Sequence, residues 1–304
     1  MNQAELEAFK AQMRVNMEQR RTSSAPLAEQ RVQFDTNVKD IPLPEGLRVE
    51  ALPQGAPPGE KLVPPDALPG RALLYFHGGG FYTGSTRSHR HLVSRLATAS
   101  GLTAYSMDYR LAPENRFPAA VEDARTAYRW LLAQGLAAGD VVVGGDSAGG
   151  NLASGVAIWA RQEGLPLPGG LYLISPWLDL AQTRASYQAR AGADPMFIRE
   201  GVTKGAQLYL QGTPASDPRA SPVHADPAGL PRTLIQVGAD EILLSDSLDF
   251  ATRAALAGVA VRLDVWAQMM HVWLYHHRVL PEGRQAIAEA GVWLRETLSA
   301  AAPA

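Results

Sequence analysis

Cysteine is absent from the 304-residue sequence, which excludes disulfide bonds, a thiol nucleophile and thiolate metal sites. No apolar run reaches the roughly 18 residues of a membrane-spanning helix. An excess of charge of one sign is also lacking, because 28 basic and 30 acidic side chains leave a net charge of -2. A chain with this balance has no overall attraction to nucleic acid or to an anionic membrane. We therefore expect a small-molecule partner, with no nucleic-acid and no membrane partner.

The first residues, Met1-Asn2-Gln3-Ala4-Glu5, lack the basic segment and apolar run of a signal peptide. The lack of cysteine does not separate cytosolic from exported proteins, so a cytoplasmic location is the default expectation. The composition, 46% hydrophobic and 19% charged, is that of an ordinary globular protein. An α/β protein of this length commonly forms one unit, and a single domain over residues 1–304 is expected.

Short apolar runs recur from about residue 70 onwards and predict buried strands. They lie at 72–76, 102–107, 141–144, 171–175, 233–237 and 261–266. Most of the gaps hold a helix-like stretch, as at 119–134, 148–162, 245–257 and 282–298. Uninterrupted apolar strands that alternate with helices are typical of a parallel sheet covered on both faces. The pattern therefore predicts a doubly wound α/β fold.

Two segments fall outside this alternation. Residues 3–20 are helix-favouring and carry one apolar stripe, so they should pack on another part of the protein. The stripe consists of Leu6, Phe9, Met13 and Met17. A long irregular insert lies between Trp177 and Pro231, with one helix-like piece near 198–210. An insert of this length in a compact domain more often forms a functional lid than a structureless loop.

The run Gly145-Asp146-Ser147-Ala148-Gly149 follows an apolar strand and precedes a helix-compatible stretch. This is the setting of a nucleophile elbow, in which a serine occupies a sharp strand-to-helix turn. Glycines two residues before and after it are needed because side chains there would collide across the turn. An ordinary glycine-rich turn is the alternative, and the flanking strand and helix favour the elbow with Ser147 as nucleophile.

A second glycine-rich loop, His77-Gly78-Gly79-Gly80, directly follows the strand at 72–76. Consecutive glycines let backbone N–H groups approach a ligand, and in hydrolases such a loop binds the oxyanion together with the N–H after the nucleophile, here that of Ala148. A phosphate-binding loop is the competing interpretation, but the Lys-Ser/Thr ending and the Gly-x-Gly-x-x-Gly spacing are both missing. We interpret His77 and Gly78 as residues that support this loop.

The acid and the base should follow the serine in that order. Asp240 stands just past the strand at 233–237, and Glu241 and Asp246 are the alternative acids. We predict Asp240 because it lies nearer the strand end. We expect Asp246 to start or cap the next helix. Among seven histidines, His271 alone follows a late strand through a short loop, which favours it as the base. The other histidines are expected to serve in packing or at the surface.

Together these motifs resemble the hormone-sensitive-lipase-like branch of the α/β-hydrolases, the bacterial family IV carboxylesterases. The resemblance covers the chain from about residue 70 and rests on the following segments: 77–80, 108–114, 117–120, 145–151, 175–177, 238–241 and 271–273. It implies an α/β-hydrolase fold, with a mostly parallel eight-stranded sheet, flanking helices and a helical cap. The cap would come from about 1–45 and about 181–225.

The same resemblance implies a catalytic triad and an oxyanion hole. The triad would be Ser147, Asp240 and His271. The oxyanion hole would use the N–H groups of Gly79, Gly80 and Ala148. No metal and no organic cofactor would be needed, and a homodimer is common among similar esterases.

The predicted function is hydrolysis of short- to medium-chain acyl esters through an acyl-enzyme. A long-chain lipase and a small-molecule deacetylase or amidase are alternatives within the enzymes. A ligand-binding receptor on the same fold is the non-enzyme alternative. Because such receptors lack the catalytic histidine, the presence of His271 favours an enzyme.

Overall fold

The computed structural model describes residues 1–299, and within them eight strands form one sheet in the order β1-β2-β4-β3-β5-β6-β7-β8. The strands are β1 (Arg48–Ala51), β2 (Gly59–Val63), β3 (Ala72–Phe76), β4 (Thr103–Met107), β5 (Val141–Asp146), β6 (Gly170–Ile174), β7 (Thr233–Gly238) and β8 (Val261–Trp266). The first two strands pair antiparallel and β3 to β8 run parallel. This is the predicted mostly parallel sheet.

Helices cover both faces of the sheet. They are α1 (Gln3–Thr22), α2 (Leu27–Thr36), α3 (Thr86–Ser100), α4 (Ala119–Ala133), α5 (Ala148–Gln162), α6 (Ser186–Ala189), α7 (Arg199–Leu210), α8 (Leu244–Leu256) and α9 (Pro281–Ser299). Successive strand side chains point to opposite faces. Accordingly, Leu74 and Val143 join a core with α4, α5 and α8, whereas Leu73 and Val142 join a second core with α3 and α9.

Most predicted elements are present, but the sequence does not predict α3. This helix begins with a capping box between Ser85 and Ser88, and it ends at Gly101 in the left-handed conformation. Its buried face carries serine and histidine side chains, among them His89 and His91, beside its apolar ones. An apolar periodicity search therefore finds only part of the face that packs on the sheet.

The two segments outside the strand–helix alternation also contain helices. Helix α1 starts with a capping box between Asn2 and Glu5 and buries Leu6, Lys10 and Met13 on one face. The insert between β6 and β7 contains α6 and α7. No helix within residues 1–299 has the length and apolarity required to cross a bilayer.

Because β3 and β5 to β8 are parallel, their carboxyl ends meet at one edge of the sheet, where α/β proteins place their ligand sites. The glycine-rich loop follows β3 and the serine turn follows β5. The loops that contain Glu241 and His271 follow β7 and β8. The topology thus brings all the predicted site segments to the same edge.

Candidate active site

Ser147 occupies the strained turn between β5 and α5, with φ 53° and ψ −119°. Only glycine avoids a steric penalty in a turn this tight. A Cβ on Gly145 would lie 2.5 Å from the carbonyl oxygen of Phe76, and one on Gly149 would overlap the same oxygen. The two glycines therefore let the turn pass against β3, and the strain at Ser147 is of the kind found at functional sites.

Backbone hydrogen bonds hold this turn from the neighbouring strand. The N–H of Ser147 donates to the carbonyl of Ile174 at 2.9 Å, and the carbonyl of Ser147 accepts the N–H of Trp177 at 3.0 Å. Ser147 is 7% exposed, so the residue is largely buried at the edge of the sheet. Ala148 is the first residue of α5, where an N–H has no partner within the helix and the helix dipole favours negative charge.

The glycine-rich loop is fixed by hydrogen bonds to its own carbonyls. Gly79 and Gly80 both have positive φ values, 118° and 64°. The carbonyl of Gly79 accepts both the N–H and the hydroxyl of Thr83, each at 2.9 Å. His77 Nδ1 lies 2.7 Å from the carbonyl of Gly78, and its ring stacks on Tyr109 with centroids 4.3 Å apart. These contacts place His77 and Gly78 in the framework of the loop.

Asp146, the residue before the nucleophile, connects the serine turn to this loop. Its Oδ1 accepts the N–H of Gly78 at 3.0 Å and the hydroxyl of Tyr75 at 2.7 Å. Its Oδ2 lies 3.3 Å from Nε2 of His89. Burial alone would raise the pKa of Asp146, but the nearby imidazole of His89 and the bond from Tyr75 hold it below its ordinary value. No role for Asp146 was predicted from the sequence.

The carboxylate that contacts His271 belongs to Glu241, so the prediction of Asp240 as the partner of the histidine is wrong. Oε2 of Glu241 lies 2.8 Å from Nδ1 of His271. Its Oε1 accepts the hydroxyl of Ser175 at 2.7 Å and the N–H of Gly238 at 2.6 Å. The glutamate side chain is completely buried, and each oxygen has a fixed partner.

Asp240 points elsewhere because of how the loop after β7 folds. Its N–H donates to the carbonyl of Met269 at 3.0 Å, and its Oδ2 accepts a hydrogen bond from Nζ of Lys10 at 2.9 Å. The side chain thus faces α1, while the next residue, Glu241, turns inward. The other alternative acid, Asp246, lies in the first turn of α8. Its carboxylate accepts hydrogen bonds from the N–H groups of Leu178 and Asp179 and not from His271.

Two side chains besides Glu241, those of Phe197 and Ser175, hold His271 and the backbone beside it. The ring of Phe197, from the insert, meets the imidazole edge-on with centroids 4.7 Å apart. The hydroxyl of Ser175, which donates to Glu241, also accepts the N–H of Val272 at 3.0 Å. Ser175 therefore links the acid to the backbone beside the base. Ser175 lies in the family segment 175–177, but its role could not be predicted, because nothing in the local sequence connects it to residues nearly 100 positions away.

Asp194, a buried carboxylate of the insert between β6 and β7, binds the loop that contains Glu241. Oδ2 of Asp194 accepts the N–H of Ile242 at 2.9 Å. Its Oδ1 accepts the N–H groups of Met196 and Phe197. Burial raises the pKa of Asp194 to about 6 despite these bonds.

Within residues 1–299, His, Asp and Glu side chains nowhere form a group of three or more suited to a metal ion. The site therefore consists of a serine on a strained turn, a glycine-rich loop and a buried His–Glu pair. This combination can supply a nucleophile, a base with a fixed tautomer and backbone donors. These are the groups that a hydrolase with a serine nucleophile requires.

Comparison with known proteins agrees with this class. Residues 73–275 match a family model described as the alpha/beta hydrolase fold. An acetyl-hydrolase of Streptomyces hygroscopicus is 45% identical over 250 residues, which cover 79% of this chain and 84% of that protein. An esterase of Acinetobacter venetianus is 37% identical over 218 residues, 71% of this chain and 72% of that one.

Among solved structures, an esterase of the bacterial hormone-sensitive lipase family is 41% identical and superposes with a TM-score of 0.92. The match covers 98% of this chain and 99% of that one. The chain belongs to the hormone-sensitive-lipase-like carboxylesterases of the α/β-hydrolase fold, and it is a hydrolase.

Proposed function

We propose that the protein hydrolyses short- to medium-chain acyl esters through a triad of Ser147, His271 and Glu241. The contact between Oε2 of Glu241 and Nδ1 of His271 carries this proposal, because it leaves Nε2 of the imidazole as the nitrogen that can take a proton. The serine stands at the elbow that the same fold uses for its nucleophile. Glu241 takes the role that the sequence analysis predicted for Asp240.

In the proposed first half-reaction, His271 accepts the hydroxyl proton of Ser147 while the serine oxygen attacks the ester carbonyl. The tetrahedral intermediate carries an oxyanion, which the N–H groups of Gly79, Gly80 and Ala148 would bind. Loss of one such donor typically costs about 3–4 kcal/mol of transition-state stabilisation. The imidazolium then protonates the departing alcohol, and an acyl-enzyme remains.

In the second half-reaction water replaces the alcohol. His271 takes a proton from the water, the hydroxide attacks the acyl-enzyme, and the proton returns to Ser147 as the acid leaves. Glu241 keeps the imidazole in one tautomer and offsets its charge throughout. Every step uses protein groups and water.

The preference for short chains is supported by the name of the Streptomyces relative, an acetyl-hydrolase. We also propose that residues 1–45 and 181–225 form a cap over the site. Arg31 of α2 supports this, since its Nε donates to the carbonyl of Tyr82 beside the glycine loop at 2.8 Å. Phe197 of the insert also supports a cap, because its ring packs edge-on against the imidazole of His271. A cytoplasmic location and a homodimer stay predictions.

Replacement of the nucleophile tests the proposal. Ser147→Ala should lower kcat for p-nitrophenyl acetate and butyrate by about 10⁵-fold or more, because the covalent step is lost. Ser154→Ala is the matched control: this buried serine lies on the same helix, α5, and its hydroxyl donates only to the carbonyl of Gly150. It should keep wild-type turnover.

Retained turnover in Ser147→Ala with an intact fold, checked by circular dichroism, would refute the assignment. A series of p-nitrophenyl esters from acetyl to palmitoyl tests chain length. A rate that rises towards palmitoyl would favour the long-chain lipase, and hydrolysis of anilides would favour the amidase.

A further inference from the structure

Lys10 is a lysine in an unusual place. It lies on the face of α1 that also buries Leu6 and Met13, and it is only 3% exposed. Lysine is rarely buried unless it is paired, because its charge is costly to remove from water. Here Nζ lies 2.9 Å from Oδ2 of Asp240 and 3.4 Å from Oε1 of Glu7.

The partner of Lys10 lies at the junction of the two loops that hold the proposed acid and base. Asp240 directly precedes Glu241, and its N–H donates to the carbonyl of Met269, two residues before His271. A bond between Lys10 and Asp240 therefore acts on both loops at once. Helix α1 contacts the segment after His271 too, since the ring of Phe9 meets that of His276 with centroids 5.4 Å apart.

The residue after Glu241 is held as well, from the insert, by the bond between Asp194 and the N–H of Ile242. Glu241 itself is buried and bonded at short distances to three groups. A displacement of about 1 Å in such an arrangement can cost on the order of 100-fold in rate. The loop thus has little freedom, and the ion pair between Asp240 and Lys10 attaches its N-terminal side to α1.

We propose that Lys10 is a positioning residue for the reaction, which fixes the loop of Glu241 by its ion pair with Asp240. This inference rests on the proposed triad and adds a role for α1 beyond covering the site. Lys10 acts through Asp240 and Glu241 and touches no reacting atom in this scheme. Its effect should therefore appear in kcat, while substrate binding changes little.

A double-mutant cycle with p-nitrophenyl butyrate tests this. Lys10→Met keeps the length of the side chain and removes the charge, and it should lower kcat about 10-fold with KM within twofold of wild type. Asp240→Asn should do the same from the other side of the pair. The double variant should be no slower than either single variant, because both remove one interaction. Lys10→Arg should restore most of the rate.

A spectroscopic readout separates positioning from general loosening of the fold. The proton between Nδ1 of His271 and Glu241 should give a downfield ¹H NMR signal in the wild type. Lys10→Met should broaden or shift that signal while the thermal unfolding of the variant stays cooperative. Glu7→Gln, which removes the other partner of Lys10, should leave both kcat and the signal unchanged.

Wild-type kcat and an unchanged signal in Lys10→Met would overturn the inference, as would additive losses in the double variant or a change confined to KM. Should Lys10→Met fail to fold, the kcat and signal of Asp240→Asn decide in the same way. Glu241→Gln separates the two proposals. If it collapses turnover while Lys10→Met and Asp240→Asn are unaffected, only this inference fails; if it keeps turnover, the triad itself is wrong.

Discussion

The nucleophile side and the acid–base side of the site are built in different ways. On the nucleophile side, consecutive residues form the turn after β5, and backbone atoms of β3 and β6 hold it. On the acid–base side, two loops at the far end of the sheet are held by side chains from distant segments, namely Lys10, Asp194 and Ser175. Local sequence therefore specifies the first side, and tertiary contacts specify the second.

On the acid–base side, the largest expected effect concerns the two neighbouring carboxylates. Glu241→Gln should lower kcat for p-nitrophenyl butyrate by about 10³–10⁴-fold, because the imidazole loses both its tautomer control and its compensating charge. Asp240→Asn should lower it only about 10-fold. Steady-state kinetics with both variants checks the difference. The reverse ranking would restore Asp240 as the acid and break the contrast between the two sides.

The nucleophile side should be intolerant of a single methyl group. Gly149→Ala places a Cβ against the carbonyl oxygen of Phe76, so we expect a loss of at least about 3 kcal/mol in the free energy of unfolding, or no folded protein. Gly155→Ala, on the same helix, is the control, because nothing lies within 4 Å of its added Cβ. It should stabilise the protein by about 0.5–1 kcal/mol in urea titrations. Equal stability of the two variants would contradict the close approach.

A buried histidine pair links α3 to the segment after His271 and should make stability depend on pH. Nδ1 of His91, on α3, lies 3.1 Å from Nε2 of His277, in the segment after His271. Burial and the neighbouring His277 lower the pKa of His91 to about 2, and burial with the nearby Arg95 lowers that of His277 to about 4. Since the unfolded chain binds these protons near pH 6.5, stability should be complete above that pH and fall as pH drops towards 4.

His91→Gln should reduce the slope of unfolding free energy against pH between 6 and 4.5 by up to about 1.4 kcal/mol per pH unit. Urea titrations over this range measure it. Ser94→Ala, which removes a buried but non-titrating side chain of the same helix, is the control and should keep the wild-type slope. A slope in His91→Gln equal to that of the wild type would show that His91 does not contribute to the pH dependence of stability.

The sequence predicts the sheet, most of its helices, and the nucleophile side in detail. Five consecutive residues around Ser147 define the elbow, because the steric need for glycine at both flanks leaves a readable pattern. The loop at 77–80 could also be predicted, because its three consecutive glycines form a recognisable motif. The strands at 72–76 and 261–266 have the predicted bounds. The first is an uninterrupted apolar run, and the second alternates apolar residues with Arg262 and Asp264, which is the period of a strand.

The choice between Asp240 and Glu241 could not be made from local pattern. Both are carboxylates just past the end of β7, and the contacts that distinguish them are distant in the chain: Asp240 bonds Lys10, 230 positions away, and Glu241 bonds His271, 30 positions away. Ser175 and Asp194 likewise act only after folding brings them to the loops. The missed helix α3 has a related cause, because part of its buried face is polar and pairs with groups such as Asp146.

The most direct test of the account is covalent labelling with a fluorophosphonate, followed by intact-mass measurement and peptide mapping. The account predicts one adduct per chain, located on Ser147, that forms about 10-fold more slowly in Asp240→Asn and about 10³-fold more slowly in Glu241→Gln. An adduct on another residue, or full-rate labelling of Glu241→Gln, would contradict it.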